Sequence, residues 1–150
     1  MSTECIGIPY GSGERHFRVG SDFMLAGVYT PHAAAASDNP EQVVRKALES
    51  PIDSPRLRDI ATRAKSALIL VDDITRETPA GLLVPLIMEE LKIGGIGAAA
   101  VQVMIALGTH RPMTPAEVEA KLGSEVVQRV QVTQHDHTVA LLRDLGATPD

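Results

Sequence analysis

Three short polar segments in this 150-residue chain carry side chains able to move protons or hold anions. They are Asp72-Asp73-Ile74-Thr75-Arg76-Glu77, Gly108-Thr109-His110-Arg111 and Gln134-His135-Asp136-His137. A histidine can take or give a proton near neutral pH, an arginine can grip a carboxylate or phosphate through paired hydrogen bonds, and an aspartate can orient either of them. His135 and His137 stand two apart, which puts both on one face if a strand continues through them, a spacing open to a transition metal. Each group also has a plainer reading. Asp73 and Arg76 can form a surface ion pair of little energetic weight, His110 can be a loop residue that only satisfies hydrogen bonds, and His135 to His137 can be a solvated loop with no third metal donor nearby. Residue type and spacing leave these alternatives open.

The elements between the segments decide whether they can meet. Asn39-Pro40, Ser54-Pro55, Thr78-Pro79 and Thr114-Pro115 each put a capping side chain directly before a proline, the arrangement that starts a helix at no cost in backbone donors. Gln42 and Glu117 follow two of these caps by three residues, as in a capping box. Helices are therefore expected through about Glu49, Lys65, Lys92 and Leu122, the third ending before Gly94-Gly95, the fourth before Gly123, and Pro85 kinking the third. Apolar runs of strand length lie between them: Ala67 to Val71, Val101 to Leu107 and Val130 to Thr133. The first two are nearly continuous, as strands covered on both faces of a parallel sheet read. The order predicts an α/β fold, a Rossmann-like βαβαβ three-layer domain over residues 40–150. Upstream, Cys5 to Pro9 and His16 to Val19 flank Tyr10-Gly11-Ser12-Gly13, so residues 1–30 are expected to form a small β-hairpin element, with Thr30 to Asp38 as a connector. In a parallel sheet the residues after each strand collect on one edge, where open α/β sheets bind ligands. All three polar segments follow a strand, and two adjoin a helix N-terminus, which attracts carboxylate or phosphate.

Composition narrows the partners. The net charge is −5, tryptophan is absent, and the aromatics are two tyrosines and two phenylalanines, so the chain offers neither a basic footprint for phosphate backbones nor a stacking platform for bases. No nucleic acid and no membrane partner are expected: runs such as Ala67 to Val71 fall far short of the ~18–20 residues that cross a bilayer, and the start of the chain lacks a signal-peptide pattern. A cytoplasmic location and an inert, unpaired Cys5 in the first strand are the corresponding expectations. Gly95-Ile96-Gly97-Ala98-Ala99-Ala100 matches G-x-G-x-x-A, but it follows a helix and precedes a strand, the reverse of a dinucleotide fingerprint, and reads as a helix stop and turn. Neither a P-loop nor a G-x-S-x-G elbow is present.

Residues 72–79, DDITRETP, and 106–114, ALGTHRPMT, with the PYG-type opening hairpin and the SPIDSPRL segment before the first sheet strand, resemble the N-terminal domain of the nickel-pincer-nucleotide-dependent lactate racemase family over essentially the whole chain. The resemblance implies one part of a racemase or epimerase of 2-hydroxy acids. In that chemistry a histidine takes the hydroxyl proton while the Cα hydride passes to a nickel-pincer nucleotide. It implies catalytic roles for His110, Asp73 and Arg76: His110 as one of two acid/base histidines, Arg76 holding the substrate carboxylate or a cofactor phosphate, and Asp73 orienting Arg76 or a cofactor hydroxyl. Thr75, Gly108, Thr109 and Arg111 are implied as local supports and cofactor-binding positions. The second histidine, the tethering lysine and the nickel ligand are implied to lie in a C-terminal domain of the same protein, beyond residue 150, so no metal ligand is assigned here and the isolated 150 residues are expected to be inactive. The alternatives are a non-catalytic nucleotide- or carboxylate-binding α/β module and a small nickel- or zinc-binding protein using His110, His135 and His137.

Overall fold

A computed structural model describes residues 5–30, 37–138 and 146–147. The chain divides into two compact units, Met1–Ala36 and Ser37–Asp150. The first holds an antiparallel hairpin of β1 (Cys5–Tyr10) and β2 (Gly13–Arg18), paired from Cys5 opposite Arg18 to Tyr10 opposite Gly13. Both arms run further into the turn than the sequence suggests, leaving only Gly11 and Ser12 as the connection. Arg15 stacks its guanidinium 4.2 Å from the centre of the Tyr10 ring, a contact that favours this close register. Cys5 is exposed in β1.

The second unit is built on a parallel sheet of β3 (Ala67–Asp72), β4 (Val101–Ala106) and β5 (Gln131–Gln134), in that spatial order. Helix α1 (Pro40–Glu49) begins at Asn39, whose side chain accepts the Gln42 N–H at 3.0 Å. Helix α4 (Pro115–Leu122) begins at Thr114 with both halves of the capping box in place. The other two expected starts are corrected. The serine hydroxyl of Ser54 donates to the Pro55 carbonyl, Asp53 turns the chain at φ 47°, and α2 is a short helix, Leu57–Ala61, that begins after Arg56. Thr78 does not cap α3 (Ala80–Ile93), because its hydroxyl is donated to the Asp72 carboxylate, and Pro79 takes the cap position without a side-chain bond. Pro85 lies inside this continuous helix. A helix that the sequence reading missed, α5 (Ser124–Arg129), follows α4 directly. Gly123, read as a stop, is at φ 83° and turns the chain from one helix into the next. Gly95-to-Ala100 is a helix stop followed by a single 3-10 turn, Ala98–Ala100, as expected.

Helix α3 is apolar nearly all round because its neighbours are α1, α2, α4 and the sheet. Its one buried acid, Glu90, is held by both arms of Arg58 at 2.7 and 2.5 Å, so the charge enters the interior paired. Gly94 ends the helix where α2 comes closest: a Cβ there would stand 2.4 Å from the Ala61 Cβ and 2.5 Å from the Arg58 carbonyl, so only glycine fits. The core lies between α3, α4, α5 and one face of the sheet, with Val103, Ile105 and Leu122 fully buried. Ile105→Ala in the sheet centre is expected to lower unfolding free energy by about 2–5 kcal/mol, read by denaturant titration.

The opposite sheet face differs from expectation. Burial along β4 alternates, and on β3 the side chains of Leu68 and Leu70 are 52% and 65% exposed. Among the described residues, helices therefore cover one face of the sheet only. A nearly continuous apolar strand cannot by its sequence say which of its faces its own unit covers.

Candidate active site

The parallel register sets Asp72 of β3 beside Ala106 of β4, so the two strands leave the sheet at the same height and their following loops lie side by side. One residue beyond β3, Asp73 folds the chain back on itself. Its Oδ1 accepts the Thr75 N–H at 3.0 Å and the Thr75 hydroxyl at 2.6 Å, and the Arg76 N–H donates to its carbonyl at 3.2 Å. Beyond β4, Leu107 is buried as an anchor and Gly108 turns at φ 58°, allowing the His110 N–H to reach the Leu107 carbonyl at 2.9 Å. The two turns bring Asp73 Oδ2 to 2.5 Å from His110 Nδ1.

Asp73 is buried, whereas the His110 side chain is 52% exposed. The Thr75 hydroxyl first, and His110 second, hold the Asp73 carboxyl down at about 2. It is therefore ionised at neutral pH and accepts a proton-bearing Nδ1, an assignment of the tautomer that follows from the bonding pattern and leaves Nε2 without a hydrogen-bond partner among the described residues. Because the carboxyl is more acidic in the folded chain than in the unfolded one, its stabilising effect is complete above the ordinary carboxylate range. It is lost as pH falls from about 4 towards 2. Denaturant midpoints measured over that interval are expected to fall less for Asp73→Asn than for the unsubstituted chain.

The structure brings Asp73, Thr75 and His110 together and sets Arg76 in the same turn. Among the described residues the Arg76 guanidinium has no hydrogen-bond or ion-pair partner, and the residue is exposed, so the suggested Asp73–Arg76 ion pair is not formed. Asp73 instead gives one carboxylate oxygen to Thr75 and the other to His110. Thr109 is exposed beside Gly108. Arg111 is drawn off to the start of α4, where it binds Glu117 through two bonds of 2.9 and 2.7 Å. That carboxylate, lowered to about 2 by Arg111 and the Thr114 N–H, already occupies the anion position expected at this helix start.

The third loop is tied to the second by Gln134, the first residue of the third polar segment, for which the sequence suggested no separate role. The Gln134 side-chain amide accepts the Met113 N–H at 2.8 Å and donates to the Met113 carbonyl at 3.0 Å, so β5 holds the far end of the His110 loop. Asp136 forms the same kind of turn with Thr138 as Asp73 does with Thr75. His135 and His137 make no hydrogen bond or ion pair with Asp73 or His110, and no group of three His, Cys, Asp or Glu able to hold a metal is gathered among the described residues.

An α/β domain that carries an aspartate–histidine pair and an unpaired arginine at the strand-end edge of a parallel sheet is the kind of scaffold on which enzymes place proton-transfer sites. Comparison with known proteins specifies the kind. The family described as lactate racemase N-terminal domain matches residues 10–150, and the chain belongs to that family. It is 35% identical over 133 residues to a lactate racemase of Thermoanaerobacterium thermosaccharolyticum, covering 87% of this chain and 31% of that protein. It is 29% identical over 98 residues to a lactate racemase of Lactiplantibacillus plantarum, covering 65% of this chain and 23% of that one. The solved lactate racemase apoprotein from T. thermosaccharolyticum superposes with a TM-score of 0.69 at 32% identity, over 89% of this chain and 30% of that chain. The chain thus spans about a third or less of the length of these relatives. No helix among the described residues is long and apolar enough to cross a membrane.

Proposed function

We propose that this chain is the N-terminal part of a racemase or epimerase acting on a 2-hydroxy acid, lactate or a close analogue, and that His110 is one of its acid/base groups. The observation that carries this reading is the 2.5 Å pairing of Asp73 with His110 at the sheet edge. Held through Nδ1, the imidazole presents Nε2 to a substrate hydroxyl, removes its proton as the Cα–H bond is broken, and returns it when the bond is remade. The ionised Asp73 stabilises the imidazolium in between and fixes the ring's orientation, in the manner of the carboxylate of a catalytic triad. Arg76, exposed and unpaired, is the group we assign to the substrate carboxylate, which it can hold through two parallel bonds.

The family's nickel-pincer nucleotide fits this edge in its anionic part. The Gly108 and Thr109 backbone and the Thr109 hydroxyl can donate to a phosphate, and the Thr75 oxygen, whose proton goes to Asp73, can accept from a ribose hydroxyl, whereas the described residues gather no donor set for the metal. When bound, the nucleotide supplies reversible acceptance of the Cα hydride. Its nickel ligand and tether are assigned to the longer protein. The Arg111–Glu117 pair makes Arg111 a support of the loop, with any contact to the nucleotide left to its backbone. A cytoplasmic setting agrees with a lone, unpaired cysteine.

The experiment is a chiral assay of the full-length, cofactor-loaded protein beside the isolated 150 residues supplied with the same nickel and nucleotide. Racemisation by the former only is expected. Turnover by the isolated residues would contradict the division of labour proposed here, and absence of turnover in both would contradict the reaction.

A further inference from the structure

Lys121 lies on α4 three residues after Val118 and beside Leu122, both buried, so the helix carries its stem inward. Its side chain is only 6% exposed. An ammonium group that leaves water needs oxygens around it, and this one has two hydrogen-bonded carbonyls and a carboxylate at ion-pair distance. Nζ donates to the Arg76 carbonyl at 2.7 Å and to the Thr78 carbonyl at 3.1 Å, and stands 2.8 Å from Asp72 Oδ1. The Asp72 carboxylate also accepts the Thr78 hydroxyl, and its carboxyl is held below the usual range by Lys121 first and Thr78 second. The three acceptors have one thing in common: they bound and bisect the turn that carries Asp73 and Arg76. Asp72 is its entry, Thr78 its exit, and the middle contact is made with the backbone of Arg76 itself.

We propose that Lys121, acting with Asp72, is a positioning residue for the site, a buried cation that fixes the 72–78 turn from beneath so that Arg76 meets the substrate carboxylate in one geometry. This rests on the reading of Arg76 given above. The turn itself is exposed from Ile74 to Pro79 and is anchored inside by Asp73 and this ammonium, so loss of Lys121 frees the arm that holds Arg76 while the β3–β4 register remains. A purely structural salt bridge predicts something different. With Lys121 buried and Asp72 a third exposed, an apolar pair of similar volume can replace the ion pair with little loss of stability, and with no positioning role it would then also replace it without loss of activity.

The test uses the full-length, cofactor-loaded protein with the single variants Lys121→Met and Arg76→Gln, their combination, and the apolar pair Asp72→Leu/Lys121→Met. The apolar pair is expected to recover most of the thermal midpoint lost in Lys121→Met, yet to keep kcat/KM for the 2-hydroxy acid down by about tenfold or more, chiefly through KM. Adding Lys121→Met to Arg76→Gln is expected to change kcat/KM by less than about twofold, since both remove the same interaction. Recovery of activity together with stability, or losses that multiply in the combination, would overturn the proposal. Failure of the functional reading is separable from this. If the unsubstituted protein racemises nothing, amide exchange still reads the device: Thr75 and Arg76 N–H are expected to lose about tenfold protection in Lys121→Met while β4 amides keep theirs, and unchanged protection of Thr75 and Arg76 overturns it.

Discussion

Under the proposed racemisation, replacement of His110 by alanine in the full-length, cofactor-loaded protein is expected to lower kcat about 10²–10⁴-fold, the range lost with a general acid/base. Cofactor content is expected to stay near its original value, while some stability is lost because the buried Asp73 Oδ2 is left without its partner. Asp73→Asn keeps the imidazole but removes the charge that selects its tautomer, so it is expected to lose a large part of the same factor. The ordering of the two variants matters. If Asp73 only supported the turn, Asp73→Asn would reduce stability and leave kcat intact, whereas a role through His110 lowers kcat in a protein that still folds at neutral pH.

The second large effect is expected at Arg76. Arg76→Gln removes the charge assigned above to the substrate carboxylate and should lower kcat/KM by about 2–4 kcal/mol, roughly 30- to 1,000-fold, mainly by raising KM. Arg76→Lys should recover only part of this, since a lysine offers one charge and no paired bonds in a plane. Steady-state kinetics with a 2-hydroxy acid, together with nucleotide titration, check the assignment. A rise in KM with unchanged nucleotide affinity supports it. Weakened nucleotide binding with unchanged KM would move Arg76 to the cofactor.

Much of this site is legible in the sequence for a simple physical reason. Strand ends in a parallel sheet share one edge, so locating the ends of β3 and β4 is enough to bring Asp73 and His110 to one place. What strand counting cannot supply is which partner Asp73 chooses. Arg76 is three residues away and His110 thirty-seven, and only the register at Asp72 and Ala106, with Thr75 fixing one carboxylate oxygen, decides for the histidine. Lys121 illustrates the same limit from the other side. Its place three residues after Val118 marks it for the buried face of α4, but a lysine is normally assigned to solvent, and its partners lie on a distant segment. The caps show how local chemistry can be outbid. Thr114 caps as its pattern says, while the Thr78 hydroxyl is taken by Asp72 and that of Ser54 by its own neighbour. Helix α5 escaped because Gly123, which ends α4, also opens the next helix at the same residue. The exposure of Leu68 and Leu70 depends on what covers the sheet, which the strand's own letters do not encode.

The most direct measurement is chiral chromatography of a single enantiomer of lactate, and of a panel of other 2-hydroxy acids, incubated with the full-length, cofactor-loaded protein and with its His110→Ala variant. Either enantiomer of at least one of these acids is expected to be driven to the same near-equal mixture by the unsubstituted protein, and at least about 100-fold more slowly by the variant loaded to the same extent. Enantiomers left unchanged by the loaded protein, or converted equally fast without His110, would contradict that expectation.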